Sequence, residues 1–248
     1  MESPLIEVVN SPQDIAEAFT CLSEAFGRQA QDAIWMAFNP GWDTPEGRAK
    51  REETMIRRWE ATTTDKFGKP NELFLKATLP DPKQPDRRVI AGFAIWVQAS
   101  DVEGYGNKTA GDIRSVLNLE ALYPGNESEQ RFLEQMCNSL LKRRVEFVKQ
   151  KATDDPPVIM ALDLCGVDPA FQRRGIATRL VSWGLSEARR RGIRYCTTEG
   201  SSMGRHVYQQ LGFEPDAEDI VYEVDDEFAT RDMPPNRFMR GNPKNPTR

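Results

Sequence analysis

Between Leu162 and Gly192 the sequence reads as a buried strand, a tight turn and an amphipathic helix, and this unit constrains the rest of the chain. Leu162, Leu164, Cys165 and Val167 form the strand side. Asp168-Pro169 closes it, because proline cannot continue a hydrogen-bonded ladder. Ile176, Leu180, Val181, Gly184, Leu185 and Ala188 then recur on one helical face. Arg189, Arg190 and Arg191 suit the negative end of the helix dipole, and Gly192 suits a left-handed cap. Gly166, inside the strand, predicts a bulge or a close backbone approach.

The turn itself is Gln172-Arg173-Arg174-Gly175-Ile176-Ala177. A strand that enters a helix through glycine leaves backbone N–H groups unpaired at the positive end of the helix dipole, which is an anion site. Gly175 and Ala177 admit a phosphate to the backbone, and Arg173 and Arg174 add charge at the rim. The same spacing also suits an ordinary strand–helix crossover. Neither the Gly-Lys-Ser/Thr ending of a Walker A loop nor G-x-G-x-x-G is present.

The sequence has 248 residues, net charge −5 and a pI near 5.2, which gives no general nucleic-acid footprint. Basic residues gather only at the turn, the helix end and the C-terminal stretch. Cys21, Cys137, Cys165 and Cys196 lie in apolar patterns without C-x-x-C spacing, so buried reduced thiols are expected. One histidine, His206, and scattered cysteines make no zinc constellation. No stretch reads as a signal peptide or a membrane span, so a cytoplasmic protein is expected, with the nucleus left open.

In chain order, Leu5 to Val9 reads as a strand, and Ser11-Pro12 opens a helix lined by Ile15, Phe19, Leu22 and Phe26. Trp35, Phe38 and Trp42 stud the loop that follows, as core closers or, by the family resemblance given below, as one wall of an acceptor site. Thr44-Pro45 opens a second helix. Glu72–Leu79 and Arg88–Ala99 read as paired strands around a turn holding Pro80, Asp81, Pro82, Pro85 and Asp86. Val89, Ala91, Phe93, Ile95 and Val97 are expected on one face, with Gly92, Ala94 and Trp96 on the other. Residues 100–128 read as a long loop, a lid or a disordered excursion. Glu129 to Lys151 reads as a helix with one apolar stripe and a charged, solvated face. Ile193–Glu199 and Asp219–Val224 read as strands and Met203–Leu211 as a helix. One domain is expected over 1–228, with 100–152 as an insertion and 229–248 as a Pro-rich basic tail in which Phe238 and Met239 can dock.

Two motifs in register carry a resemblance. Q-R-R-G-I-A resembles the Q/R-x-x-G-x-G/A motif of the GNAT superfamily of acyl-CoA-dependent N-acyltransferases. The strand L-D-L-C-G-V-D-P resembles that family's fourth strand, and Ser201 to Phe213, ending Y-x-x-L-G-F, resembles its second motif. The likeness covers Val158 to Val224 and leans toward fungal small-molecule members. It implies an α/β fold: a mixed, mostly antiparallel sheet of six or seven strands with helices on both faces.

It also implies acetyl-CoA as acyl donor and no metal. Pantetheine would add to the backbones of Cys165 and Val167 where the fourth and fifth strands splay apart. Pyrophosphate would rest on Arg173, Arg174, Gly175, Ile176, Ala177 and Thr178, with Gln172 holding the turn. Ser201 stands where relatives carry an asparagine on the pantetheine, and Tyr208 matches the acid that protonates the leaving thiolate. Glu199 and Asp163 are the candidate bases, with bulk water as the alternative. The expected reaction is acetyl transfer to a small primary amine, in a monomer or homodimer that binds no nucleic acid or membrane. A protein acetyltransferase and a non-catalytic acyl-CoA-binding regulator are the alternatives.

Overall fold

The computed structural model describes residues 2–84, 86–216 and 218–243; Pro85 of the expected turn and residues 244–248 of the expected tail lie outside the described residues. Seven strands form one sheet in the order β1-β2-β3-β4-β5-β7-β6. They are β1 (Leu5–Val8), β2 (Glu72–Pro80), β3 (Arg88–Ala99), β4 (Ile159–Val167), β5 (Cys196–Gly200), β6 (Phe213–Pro215) and β7 (Arg237–Gly241). Among the described residues only the β4–β5 strand pairing is parallel, so the expected mixed, mostly antiparallel sheet is present.

Helices cover both faces. One face carries α6 (Ile176–Arg190) and α7 (Arg205–Gln210), which close a core around Trp96, Met160, Leu180 and Phe213. A Cβ at Gly184 would overlap the Trp96 indole, so the glycine sets how closely α6 lies on the sheet. The other face carries α1 (Pro12–Leu22), a π-helical turn (Ser23–Gln29), α2 (Ala33–Phe38) and α3 (Pro45–Glu60) over Phe19, Phe74, Phe93 and Ile95. Each helix starts as its sequence dictates: Ser11 Oγ accepts from Asp14 N at 3.2 Å and Thr44 Oγ1 from Gly47 N at 3.1 Å. The short α4 (Leu119–Leu122) and the long α5 (Glu127–Gln150) complete this face.

Of the two readings open for Gly166, the close approach holds, since a Cβ there would stand 2.8 Å from Leu22 and 2.9 Å from Phe26 of the helix above. The β4 bulge falls at Asp163, between the Leu162–Trp96 and Leu164–Ile95 pairs. Other expectations need correction. In β3 a bulge at Ala91 switches the alternation, so Val89 and Ala91 join the α6 face while Phe93, Ile95 and Val97 face α1. Residues 100–128 are docked: Ile113, Leu119 and Leu122 share a cluster with Ile34, Leu133, Met136 and Phe228. Asp219–Val224 forms no strand, and its place in the sheet is taken by β7 from the expected tail. β7 pairs with β5 on one side and β6 on the other, and Phe238 and Met239 are buried. The fifth strand starts at Cys196 and the last helix at Arg205, each later than expected.

Candidate active site

β4 and β5 pair over only three residues, Met160–Cys196, Ala161–Thr197 and Leu162–Thr198. The Thr198 hydroxyl donates to Leu162 O at 3.1 Å and closes the last rung. Beyond it the strands part, because the bulge at Asp163 turns β4 toward β3. From Asp163 to Val167, β4 keeps β3 on one side and meets no strand on the other. Cys165 and Val167 lie on this free edge. The edge offers backbone donors and acceptors to an extended ligand, as a missing strand would take them.

The edge leads into the turn. Arg173 (φ 63°) and Gly175 (φ 72°) are both left-handed, which folds the chain into a concave run before α6. Among the described residues, the amides of Arg173, Arg174, Gly175, Ile176, Ala177 and Thr178 meet no acceptor; the first α6 amide with one is that of Arg179, bonded to Gly175 O at 3.0 Å. Six free amides gather at the N-terminus of the 15-residue helix α6, a geometry that can hold an anion. Gly175 is required there for its φ, since nothing lies within 4 Å of a Cβ at that position. Gln172 ties the cradle to its surroundings. Its Nε2 donates to Val167 O at 3.1 Å, and its amide exchanges two hydrogen bonds, 3.0 and 2.6 Å, with that of Gln29.

Tyr208 borders the gap from the α7 side, packed on Phe213 with ring centroids 6.0 Å apart. A Cβ at Gly204 would lie 3.0 Å from its hydroxyl, so two glycines, Gly200 and Gly204, make room for the ring. Burial pushes the phenol well above the ordinary tyrosine value, and the nearby Cys165 adds to this, so the hydroxyl keeps its proton. Burial likewise pushes the Cys165 thiol up to about 12. All four cysteines are free thiols. Ser201 caps the entry to α7, its Oγ accepting from Gly204 N at 3.3 Å. His206 is exposed and paired with Gln210 one turn on.

On the opposite face of the sheet the two candidate bases lie in one ion-pair chain. Arg144 Nη1 donates to Asp163 Oδ1 at 2.8 Å, and Arg144 Nε donates to Glu199 Oε1 at 3.1 Å; Nη2 meets the other Glu199 oxygen. Arg58 Nη2 donates to Asp163 Oδ2 at 2.9 Å and its Nε to Glu72 Oε2 at 2.7 Å. Three carboxylates thus share two guanidiniums, which leaves one surplus negative charge. Burial raises the Asp163 carboxyl, but Arg58 and Arg144 outweigh it and hold Asp163 well below the usual range. Glu199 ends the chain with one cation beside it. Burial pushes it above the ordinary glutamate value, Arg144 recovers only part, and the Asp163 charge adds to the rise. Asp163 is therefore a fixed anion, and Glu199 is the member poised to take a proton.

Sequence reasoning missed Arg144 and Arg58. Arg144 is 8% exposed and lies between Leu140 and Phe147 on the apolar stripe of α5, not on its charged face. A charge standing on the apolar stripe of a helix was the available signal.

The three expected acceptor aromatics do not form one cage. Trp35 is buried against Phe19 (5.8 Å) and Phe26 (6.1 Å), and Trp42 meets it edge-on at 5.7 Å. Both close the core under α1 and α3, and only Phe38 turns to the α5 side, beside Tyr123 and Tyr222. Tyr222 comes from the stretch between β6 and β7. Its hydroxyl donates to Pro234 O at 3.1 Å, and burial raises its phenol above the ordinary tyrosine value. Among the described residues no group of three or more His, Cys, Asp or Glu side chains could hold a metal ion, and no helix is long and apolar enough to cross a membrane.

Residues 139–215, from mid-α5 through the cradle to β6, match the family model described as the acetyltransferase (GNAT) domain. The fold is the GNAT fold. An arylalkylamine N-acetyltransferase 2 from Aedes aegypti superposes with a TM-score of 0.62 at 17% identity, over 97% of this chain and 99% of that one. A mosquito arylalkylamine N-acetyltransferase-like protein gives 0.59 at 12% identity, over 97% and 100%. An agmatine N-acetyltransferase variant gives 0.54 at 14%, over 97% and 98%. None of the curated proteins matches in sequence. The domain match, with the GNAT fold around it, supports an acyltransferase enzyme.

Proposed function

We propose that the protein moves an acetyl group from acetyl-CoA to the primary amine of a small molecule, by direct attack with both substrates bound. The observation that carries this reading is the free β4 edge running into six unpaired amides at the start of α6. An extended pantetheine arm needs the first and a pyrophosphate needs the second. Cys165 and Val167 would hold the arm by their backbones, Arg173 to Thr178 the pyrophosphate, and Arg173 or Arg174 the ribose phosphate. An N–H near Val167 would polarise the thioester carbonyl as charge develops on its oxygen.

When bound, acetyl-CoA supplies the activated acyl carbon and a thiolate leaving group. Glu199 draws the acceptor's ammonium to the surplus charge of the ion-pair chain and takes its proton, which frees the nitrogen lone pair. Asp163 holds Arg144 in place. Tyr208, kept protonated by burial, gives its proton to the departing sulfur and regains one from the acylated nitrogen as the C–S bond breaks. The buried surplus charge favours a cationic small molecule. The arylalkylamine and agmatine enzymes, whose names state amine acceptors, are consistent with it. The cytoplasm is the proposed location, and the proposed catalytic unit runs on past residue 228 through β7, which completes its sheet.

The test is thiol release from acetyl-CoA across a panel of amines, with a lysine peptide and an N-terminal peptide alongside. Saturable release with small amines is expected. Release with the peptides alone would favour a protein acetyltransferase. Acetyl-CoA binding with no release on any acceptor would favour a regulator.

A further inference from the structure

Arg51 lies on α3 seven residues before Arg58, two helical turns and about 10 Å along the same face. Arg58 ends on Asp163 and Glu72, at the floor of the gap. Arg51 ends on nothing. It is 5% exposed, and its Nε has no hydrogen-bond partner. Among the described residues no carboxylate pairs with it. Tyr123, which precedes α5, is the titratable group whose charge acts on it. The Tyr123 hydroxyl in turn donates to Ala37 O at 2.7 Å, beside Phe38 at the end of α2. Tyr123 thus ties the segment before α5 to the end of α2, and its charge reaches Arg51 on α3.

Burial pushes this guanidinium below the ordinary arginine value, and Tyr123 recovers only part of the loss. Of the buried arginines, Arg144 and Arg191 both have carboxylate partners. An unpaired buried cation destabilises the folded chain and gives nothing back within it. An anion from outside would complete it with the paired, planar hydrogen bonds a guanidinium makes to a carboxylate.

We infer that Arg51 binds a carboxylate at the far end of the amine acceptor, so that the acceptor is an amino acid whose amine and carboxylate are separated by a chain of several bonds. This rests on the acetyl-transfer reading above. The polarity is consistent between the two ends. The surplus negative charge at Glu199 takes the ammonium, and the lone positive charge at Arg51 takes the carboxylate. Arg51 starts about 10 Å along α3 from Arg58, which favours an acceptor longer than an α-amino acid.

The test compares matched ligands of equal chain length, 6-aminohexanoate against hexylamine and 8-aminooctanoate against octylamine, titrated calorimetrically into the CoA-saturated protein. The parent should bind at least one amino acid about tenfold or more tightly than its amine, and Arg51→Met should erase that preference. Arg51→Lys, which keeps the charge and loses the fork, should fall between. Thermal stability of Arg51→Met should be unchanged or higher, because a partnerless buried charge is removed. Equal affinity of amine and amino acid in the parent, a preference that survives Arg51→Met, no saturable binding of either ligand, or a lower melting temperature in Arg51→Met would each overturn the inference. CoA affinity and thiol release with simple amines report on the acetyl-transfer reading separately, so a failure of Arg51 leaves that reading standing.

Discussion

Glu199 and Tyr208 approach the strand gap from opposite faces of the sheet, and their surroundings assign them opposite jobs. Glu199 needs to be ionised to accept a proton, and burial raises its pKa above the ordinary glutamate value of about 4.3. The rate should therefore fall as pH drops through that raised value, well before Asp163 titrates. Glu199→Gln should flatten this acidic limb of kcat/KM and lower the rate by roughly 10²–10⁴-fold; an unchanged profile would remove Glu199 as base. Tyr208→Phe should lower kcat while acetyl-CoA affinity holds, and an equal loss in both would make Tyr208 a binding residue. Both residues were legible in the sequence as candidates. The choice between Glu199 and Asp163 was not, because it depends on Arg58 and Arg144, which lie 105 and 19 positions from Asp163. No motif spacing reports on such partners.

At the scale of elements, the cradle was the most legible part of the chain, since everything that makes it is local. Strand, turn, glycine and helix follow one another between Leu162 and Gly192, and the positive φ of Gly175 and Gly192 falls where the turn and cap required it. Gly175→Glu should put a carboxylate among the free amides and strain the left-handed backbone by about 1–2 kcal/mol. Acetyl-CoA affinity should fall more than tenfold in a protein that still folds, because the position borders open space. Affinity near the parent's would contradict the pyrophosphate assignment. β7 was the least legible. Its five residues sit in a Pro-rich, basic stretch, and their strand character comes from β5 and β6 on either side. A chain ended at Phe228 should fail to fold, as read by loss of its cooperative urea transition. A folded, active product would contradict an interior role for β7.

At the scale of the molecule, the ion-pair chain from β2 through β4 to β5 joins α3 and α5 to the sheet. Asp163, whose pKa is depressed, contributes stability that is present above about pH 3.9 and is lost as pH falls through its lower folded value. Glu199, whose pKa is raised, works the other way: its contribution is present below about pH 4.3 and is lost as pH rises through its folded value. Arg144→Met strands the buried Glu199, leaves Asp163 with Arg58 alone, and should cost about 3–5 kcal/mol at pH 7. That cost should shrink at pH 4–5, where the stranded Glu199 takes up a proton. Equal losses at both pH values would show that Arg144 acts by packing alone.

The account as a whole turns on the free edge of β4 and the amide cradle as one binding site for acetyl-CoA. Calorimetric titration with acetyl-CoA, alongside dephospho-CoA, measures this most directly. One-to-one saturable binding, weaker for the dephospho form and lost in Gly175→Glu, is the predicted result. No saturable binding of acetyl-CoA by the folded protein would contradict it.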